Sequence, residues 1–116
     1  AGTAANAFEA AADFDLKQDA GGIVDIEFMV QYAALAWSWQ HPELLQFTDN
    51  IRILEGLERA GLIASSDVRL LQEAYKAYRA AAHRLALQKQ AGSVSGDHFH
   101  EERRGVMRIW RELGLA

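Results

Sequence analysis

The feature that most constrains the fold is the helical spacing of apolar residues, which recurs in four segments of the chain. Strand signals are almost absent, because no segment sustains a period-two alternation and no Asn-Gly turn occurs. Pro42 ends the first segment, since the residue before a proline is pushed out of the helical conformation. The sequence therefore predicts an all-α fold, a helical bundle of about four main helices at roughly 23–40, 49–60, 67–90 and 98–113.

Polar residues mark the beginning of two of these helices. Thr48 or Asp49 can cap the second helix, and Ser65 or Ser66 can cap the third. At such positions a side-chain oxygen accepts a hydrogen bond from a free amide of the first turn.

A Gly-Gly pair separates the start of the chain from the first predicted helix. Residues 1–12 are Ala-rich and could be partly helical, or could be a frayed end or a cut helix. Gly21 and Gly22 then interrupt the chain, as glycines do between elements. We therefore expect residues 1–20 to be an N-terminal extension or connector and residues 21–116 to be the helical bundle domain.

The first predicted helix is apolar on two faces. With residues about 100° apart, one apolar stripe contains Ile23, Ile26, Val30, Ala33, Ala34 and Trp37. A second stripe on nearly the opposite side contains Phe28, Tyr32, Leu35 and Trp39. Such a helix must be packed against other parts of a protein on both of its apolar faces. Either it is a central core helix of this chain, or a neighbouring domain covers the second stripe.

Composition argues against several classes of protein. The 116 residues include no cysteine, which excludes disulfides and thiolate zinc sites. The net charge of −4 argues against a nucleic-acid binder, which usually carries a basic patch. No apolar run approaches the ~20 residues of a membrane span, and no signal peptide is recognisable. We expect a cytoplasmic domain that contacts neither nucleic acid nor membrane.

Two carboxylates at the start of the first helix are candidates for chemistry. Asp25 and Glu27 would point about 160° apart on a regular helix, so they could not hold one metal ion together. Asp25 is favoured in a first turn by the helix dipole alone. Glu27 borders an apolar stripe and would need a partner if buried. The basic side chains that could pair with it are Lys17, Arg52, Arg79 and Arg84.

The remaining motifs are weaker. Gly21-Gly22 before a helix resembles a turn that cradles phosphate, although a hinge or N-cap turn is the simpler interpretation. His98 and His100 lack the i, i+4 spacing of a helical metal chelate, and no nucleophile elbow is present. The residues alone predict no catalytic residue and no metal site.

Several runs resemble one enzyme family closely. FDLK at 14–17 is followed by GGIVDIEF at 21–28. The other runs that carry the resemblance are HPEL at 41–44, TDNIRILE at 48–55, HRLALQ at 83–88 and a closing helix with Trp110. Together they are similar to the bifunctional glutamine synthetase adenylyltransferase/adenylyl-removing enzyme, over roughly residues 13–113. The chain resembles the C-terminal helical segment of the adenylylating half.

The resemblance implies a multifunctional nucleotidyltransferase of nitrogen metabolism. One half would transfer AMP from ATP to a tyrosine of glutamine synthetase, and the other would remove it by phosphorolysis. PII signalling protein and glutamine would set the balance. Each half has a nucleotidyltransferase domain whose Gly-Ser loop and Asp-x-Asp pair use Mg²⁺ and ATP. That motif is absent here, so this segment is expected to bind no cofactor and to be inactive alone.

The same resemblance places residues 1–20 at the exit of the missing nucleotidyltransferase domain. It predicts that one set of residues lies close to the nucleotide cleft, namely Lys17, Gly21, Gly22, Asp25 and Glu27. It predicts that the second stripe, Phe28, Tyr32, Leu35 and Trp39, packs between domains.

Two alternatives stand beside this interpretation. The first is a non-catalytic interaction module that docks glutamine synthetase or PII. The second is the helical domain of a PII uridylyltransferase, which the run at 49–55 and the C-terminal ending disfavour.

Overall fold

A computed structural model describes residues 13–96 and 98–115, which contain four main helices, one short 3-10 helix and a minimal sheet. The elements in chain order are β1 (Phe14–Asp15), α1 (Ile23–Trp37), the 3-10 helix (Pro42–Leu45), α2 (Asn50–Arg59), α3 (Ser65–Leu87), β2 (Ser93–Val94) and α4 (His100–Glu112). The predicted all-α bundle is confirmed. The prediction for residues 1–12 lies outside the described residues.

Some helix ends differ from the predicted residues, because the local backbone conformation sets where each helix begins and ends. α1 ends at Trp37 because residues 38–40 form a turn before His41. α2 is capped as predicted, since the Ile51 amide donates to the Asp49 carboxylate at 2.8 Å. The predicted Ser65 or Ser66 cap of α3 is wrong, because the helix begins at Ser65 and its N-cap is Ala64.

One hydrophobic core joins the four helices. The long α3 packs against α1, α2 and α4. The most deeply buried core side chains include Ile26, Leu54, Leu71, Tyr78 and Val106, all fully inaccessible to solvent. Burial of each large apolar side chain contributes about 1.5–3 kcal/mol. The core therefore fixes how the four helices are arranged.

The predicted first stripe of α1 supplies its share of this core. Ile23, Ile26, Val30, Ala33 and Ala34 are buried, as the periodicity predicted. Trp37 is partly buried at the end of the stripe.

The small sheet was not predicted from the sequence. β1 and β2 pair antiparallel, with Phe14 opposite Val94 and Asp15 opposite Ser93. Strands of two residues are too short to show a period. Phe14 and Leu16 are fully buried in the same core as the helices. Residues 14–16 are thus packed into the core of the bundle. The domain boundary after residue 20 stays a prediction.

None of the helices in the described ranges has the length and apolar character required to span a membrane.

Candidate functional site

The Gly-Gly turn at the start of α1 is a tightly packed junction. Gly21 has a φ of 80°, a left-handed conformation that favours glycine. A Cβ atom on Gly22 would lie 2.6 Å from the Leu16 carbonyl oxygen. On the other side, a Cβ on Gly21 would lie 3.1 Å from the carbonyl oxygen of Arg103 in α4. The glycines therefore let three backbone segments meet.

The amides of this turn are all used inside the chain. The four bonds run from Gly21 to Asp25 Oδ2 at 2.8 Å, Gly22 to the Asp19 carbonyl at 2.9 Å, Ile23 to the Leu16 carbonyl at 2.8 Å and Val24 to the Lys17 carbonyl at 3.1 Å. A phosphate-cradling turn needs such donors to be available to the anion. In the described part of the chain this turn is an internal capping arrangement.

Four of the five predicted cleft residues come together here. Lys17, Gly21, Gly22 and Asp25 share the turn through the bonds just described. The Lys17 side chain is exposed, while Asp25 is half-buried. Asp25 bonds a backbone amide next to a helix start, which is the dipole-favoured position for a carboxylate.

Glu27 belongs to a different cluster, centred on Tyr75 of α3. The Tyr75 hydroxyl donates to Glu27 Oε2 at 2.8 Å. It also accepts from Asn50 Nδ2 at 3.2 Å and from Arg79 Nη1 at 3.5 Å. Gln31 Nε2 donates to Asn50 Oδ1 at 3.3 Å and extends the cluster along α1. The cluster therefore links α1, α2 and α3.

None of the basic side chains suggested as partners of Glu27 forms an ion pair with it among the described residues. Its hydrogen-bond partner is Tyr75, and Arg79 reaches the cluster by lying 5.5 Å over the Tyr75 ring. Burial raises the pKa of Tyr75, and the hydrogen bond to Glu27 raises it further. Periodicity placed Tyr75 on the buried face of α3, and a buried tyrosine hydroxyl usually finds a partner. That signal could have indicated the pairing.

The second apolar stripe of α1 faces solvent in this structure. The exposed fractions of its predicted members are 53% for Phe28, 43% for Tyr32, 64% for Leu35 and 80% for Trp39, which lies in the turn after α1. Val24, which was not part of the predicted stripe, is 37% exposed. We call these five side chains the α1 ridge. The interpretation of α1 as a core helix covered on both faces by this chain is therefore wrong for the described residues.

Aromatic contacts organise part of the α1 ridge. The Phe28 ring stacks on Tyr32 with centroids 6.3 Å apart and contacts Trp110 of α4 at 5.7 Å. The ridge is thus continuous with the α1–α4 junction. A contiguous apolar surface of this kind marks an interaction site more often than a scattered set of exposed apolar residues does.

Metal ligation is not supported by the donor groups in the described ranges. Within 13–96 and 98–115, no group of three His, Asp or Glu side chains could hold a metal ion. Asp25 and Glu27 contact different partners. What these residues offer chemically is hydrogen bonding and apolar contact.

An all-helical unit with an uncovered apolar face is typical of a part of a larger assembly. Residues 3–110 match the family described as GlnD PII-uridylyltransferase, and the chain belongs to this family. Over all 116 residues it is 84%, 76% and 67% identical to bifunctional glutamine synthetase adenylyltransferase/adenylyl-removing enzymes of Pseudomonas aeruginosa, Pseudomonas syringae pv. tomato and Pseudomonas putida. The chain spans 12% of the length of each of these relatives.

These comparisons confirm the resemblance that the sequence runs indicated. The family description names a uridylyltransferase, whereas the three relatives are named as adenylyltransferases.

Proposed function

We propose that this chain is the helical C-terminal segment of the adenylylating half of an enzyme that transfers AMP from ATP to a tyrosine of glutamine synthetase and removes it by phosphorolysis. In this proposal the segment supports a nucleotidyltransferase domain and is inactive alone. The observation that carries the proposal is the 84% identity, over all 116 residues, to the Pseudomonas aeruginosa enzyme named for these two activities. Glutamine synthetase, PII and the upstream domain are the proposed partners, in the cytoplasm.

The α1 ridge supplies the proposed contact with the upstream domain. Trp39 and Leu35 are its most exposed members, at 80% and 64%. Apolar side chains of this size stabilise an interface when they are removed from water. The relatives are far longer than this chain, which covers 12% of each, so the occupant can come from the same polypeptide.

The Gly-Gly turn has a supporting part in this proposal. Its amides are occupied, so it would hold α1 in place rather than bind nucleotide through its backbone. The exposed Lys17 side chain is the member of the turn that could approach phosphate oxygens. Asp25 holds the turn through its bond to the Gly21 amide, whereas Glu27 belongs to the separate cluster around Tyr75.

Mg²⁺ and ATP belong to the rest of the longer protein in this proposal. The donor set in the described ranges does not fit a metal site, because it brings no three suitable side chains together. We therefore assign no catalytic step to this chain. Its proposed contribution is to orient the domain that performs the transfer.

The test uses the longer protein that carries this chain. We expect Leu35→Asp with Trp39→Asp to lower AMP transfer to glutamine synthetase by about tenfold or more, since small misplacements of a catalytic group have effects of that size. Leu87→Asp is the matched control, because Leu87 is also apolar and 71% exposed but lies at the end of α3.

Helix content by circular dichroism separates misfolding from loss of the interface. Wild-type rates in the folded ridge variant would contradict the proposal. A rise confined to the KM for glutamine synthetase would favour the docking module instead. The 116-residue chain assayed alone should show no transfer.

A further inference from the structure

We propose that Tyr75 is a positioning residue that fixes Glu27 so that its second carboxylate oxygen receives a basic side chain from the longer polypeptide. This inference rests on the proposed function, because it assumes that the α1 ridge is covered in the longer protein. It adds a polar contact of defined chemistry at the edge of that apolar interface.

The carboxylate of Glu27 is held by Tyr75 of α3, which is itself held by the core and by α2. Its Oε2 atom accepts the Tyr75 hydroxyl at 2.8 Å. Tyr75 is 4% exposed, so its ring is fixed by the core. Asn50 at the start of α2 donates to the same hydroxyl at 3.2 Å. The hydroxyl, with its proton directed to Glu27, therefore sets the rotamer of the carboxylate.

Helical spacing places Glu27 between the buried face of α1 and the α1 ridge. Glu27 is half-buried, and the hydrogen bond from Tyr75 uses its Oε2 atom. Val24 of the ridge precedes Glu27 by three residues, a spacing that puts neighbouring side chains on one helix face. A domain that covers Val24 and Leu35 would also cover this carboxylate in part.

Covering the ridge would remove this carboxylate partly from water at the edge of the interface, which is costly unless the charge is paired. Arg79 does not meet this need, because it contacts the Tyr75 hydroxyl and ring and forms no ion pair with Glu27 within the described ranges. Asp25 is already bonded to the Gly21 amide. Charge complementarity therefore assigns the occupant an arginine or lysine opposite Glu27.

The experiment follows amide hydrogen exchange of α1 in the longer protein at low salt and at about 1 M NaCl, where the Debye length is about 3 Å. In the wild type, salt should accelerate exchange of α1 by about two- to fivefold, the range for a half-exposed ion pair. Glu27→Gln should show the faster exchange at low salt and no further response. Glu73→Gln, an exposed carboxylate on α3, is the matched control and should behave as wild type.

Tyr75→Phe tests the positioning role, because it removes the hydroxyl and keeps the Glu27 charge. We expect a reduced salt response in α1, between those of wild type and Glu27→Gln. A purely structural role would change exchange equally at both salt concentrations and would overturn the assignment.

Identical exchange in wild type and Glu27→Gln would also overturn it. The ridge variants distinguish this failure from failure of the proposed function. If Leu35→Asp also leaves α1 exchange unchanged, the ridge is not covered and the proposed function fails. If only Leu35→Asp accelerates exchange, the interface stands and the basic partner of Glu27 is disproved.

Discussion

Tyr75 and Tyr78 lie one turn apart on α3, and their hydroxyls have opposite surroundings. The Tyr75 hydroxyl bonds Glu27, Asn50 and Arg79. The Tyr78 hydroxyl is buried without a partner in the described part of the chain. Burial raises the pKa of Tyr78, and the nearby charge of Glu102 adds to the rise. The first tyrosine links helices through its hydroxyl, whereas the second contributes mainly its ring.

Replacing Tyr78 by phenylalanine should therefore stabilise the chain or leave it unchanged. The substitution keeps the ring, which forms T-shaped pairs with Phe14 and Phe99 at centroid distances of 5.6 and 5.2 Å. Removing an unsatisfied buried hydroxyl is worth about 1 kcal/mol. Urea unfolding at pH 7 measures the change. Tyr32→Phe, at an exposed site, is the control, and a clear loss of stability in Tyr78→Phe would show that its hydroxyl is bonded.

The same variant has a predicted pH dependence. The folded-state pKa of Tyr78 lies above the unfolded value of about 10. Its protonated form is thus favoured by folding, and this contribution is complete below about pH 10 and is lost as the pH rises further. Tyr78→Phe should lose less stability than wild type between pH 7 and about pH 10.5. Equal losses would contradict the raised pKa.

At the scale of elements, the start of α1 depends on contacts distant in sequence. The Leu16 and Lys17 carbonyls cap the first amides of the helix, and the Leu16 amide itself donates to the Gly92 carbonyl at 3.0 Å. Arg103 of α4 donates to the Ala20 carbonyl at 3.2 Å. The beginning of α1 is thus built by the β1 segment, the loop before β2, and α4.

Gly22→Ala tests this close approach. The added Cβ would lie 2.6 Å from the Leu16 carbonyl oxygen and 2.9 Å from that of Asp19, so backbone must move. We expect a loss of about 3 kcal/mol in the free energy of unfolding, the upper range for overpacking. Gly92→Ala is the control, because its Cβ would meet nothing within 4 Å. Equal stability of the two variants would contradict the packing.

At the scale of the whole molecule, the described residues bury one face of α1 and leave the other exposed to solvent. The buried face contains Ile26, Val30 and Ala33. The exposed face is the α1 ridge, which extends to Trp110 through Phe28. A surface of this kind fits a unit that is completed by further polypeptide.

The isolated chain should therefore self-associate through the ridge. We expect its apparent mass in sedimentation experiments to rise with concentration, since uncovered apolar surface favours association. Leu35→Ser with Trp39→Ser should remain monomeric over the same range. Leu87→Ser, a change of equal chemistry outside the ridge, should associate like wild type. Association that survives the ridge double variant would point to another surface.

The sequence by itself determined the helices, because apolar spacing over ten or more residues indicates where a helix forms and which of its faces are apolar. It also indicated that α1 has two apolar faces and that Thr48 or Asp49 caps α2. Those features depend on residues that are close in sequence. The same holds for the family, since the runs at 14–17, 21–28 and 48–55 are continuous motifs.

Only the tertiary structure decided which partners distant residues take. The pairing of Glu27 with Tyr75 joins residues 48 positions apart. The sequence had instead suggested four basic side chains as partners of Glu27. The two-residue strands were too short to give a pattern, and Phe14 is buried because Tyr78 and Arg103 contact its ring. The exposure of the α1 ridge was decided in the same way. A helical pattern shows that two faces need cover, but the packing of the other helices determines which face this chain can cover.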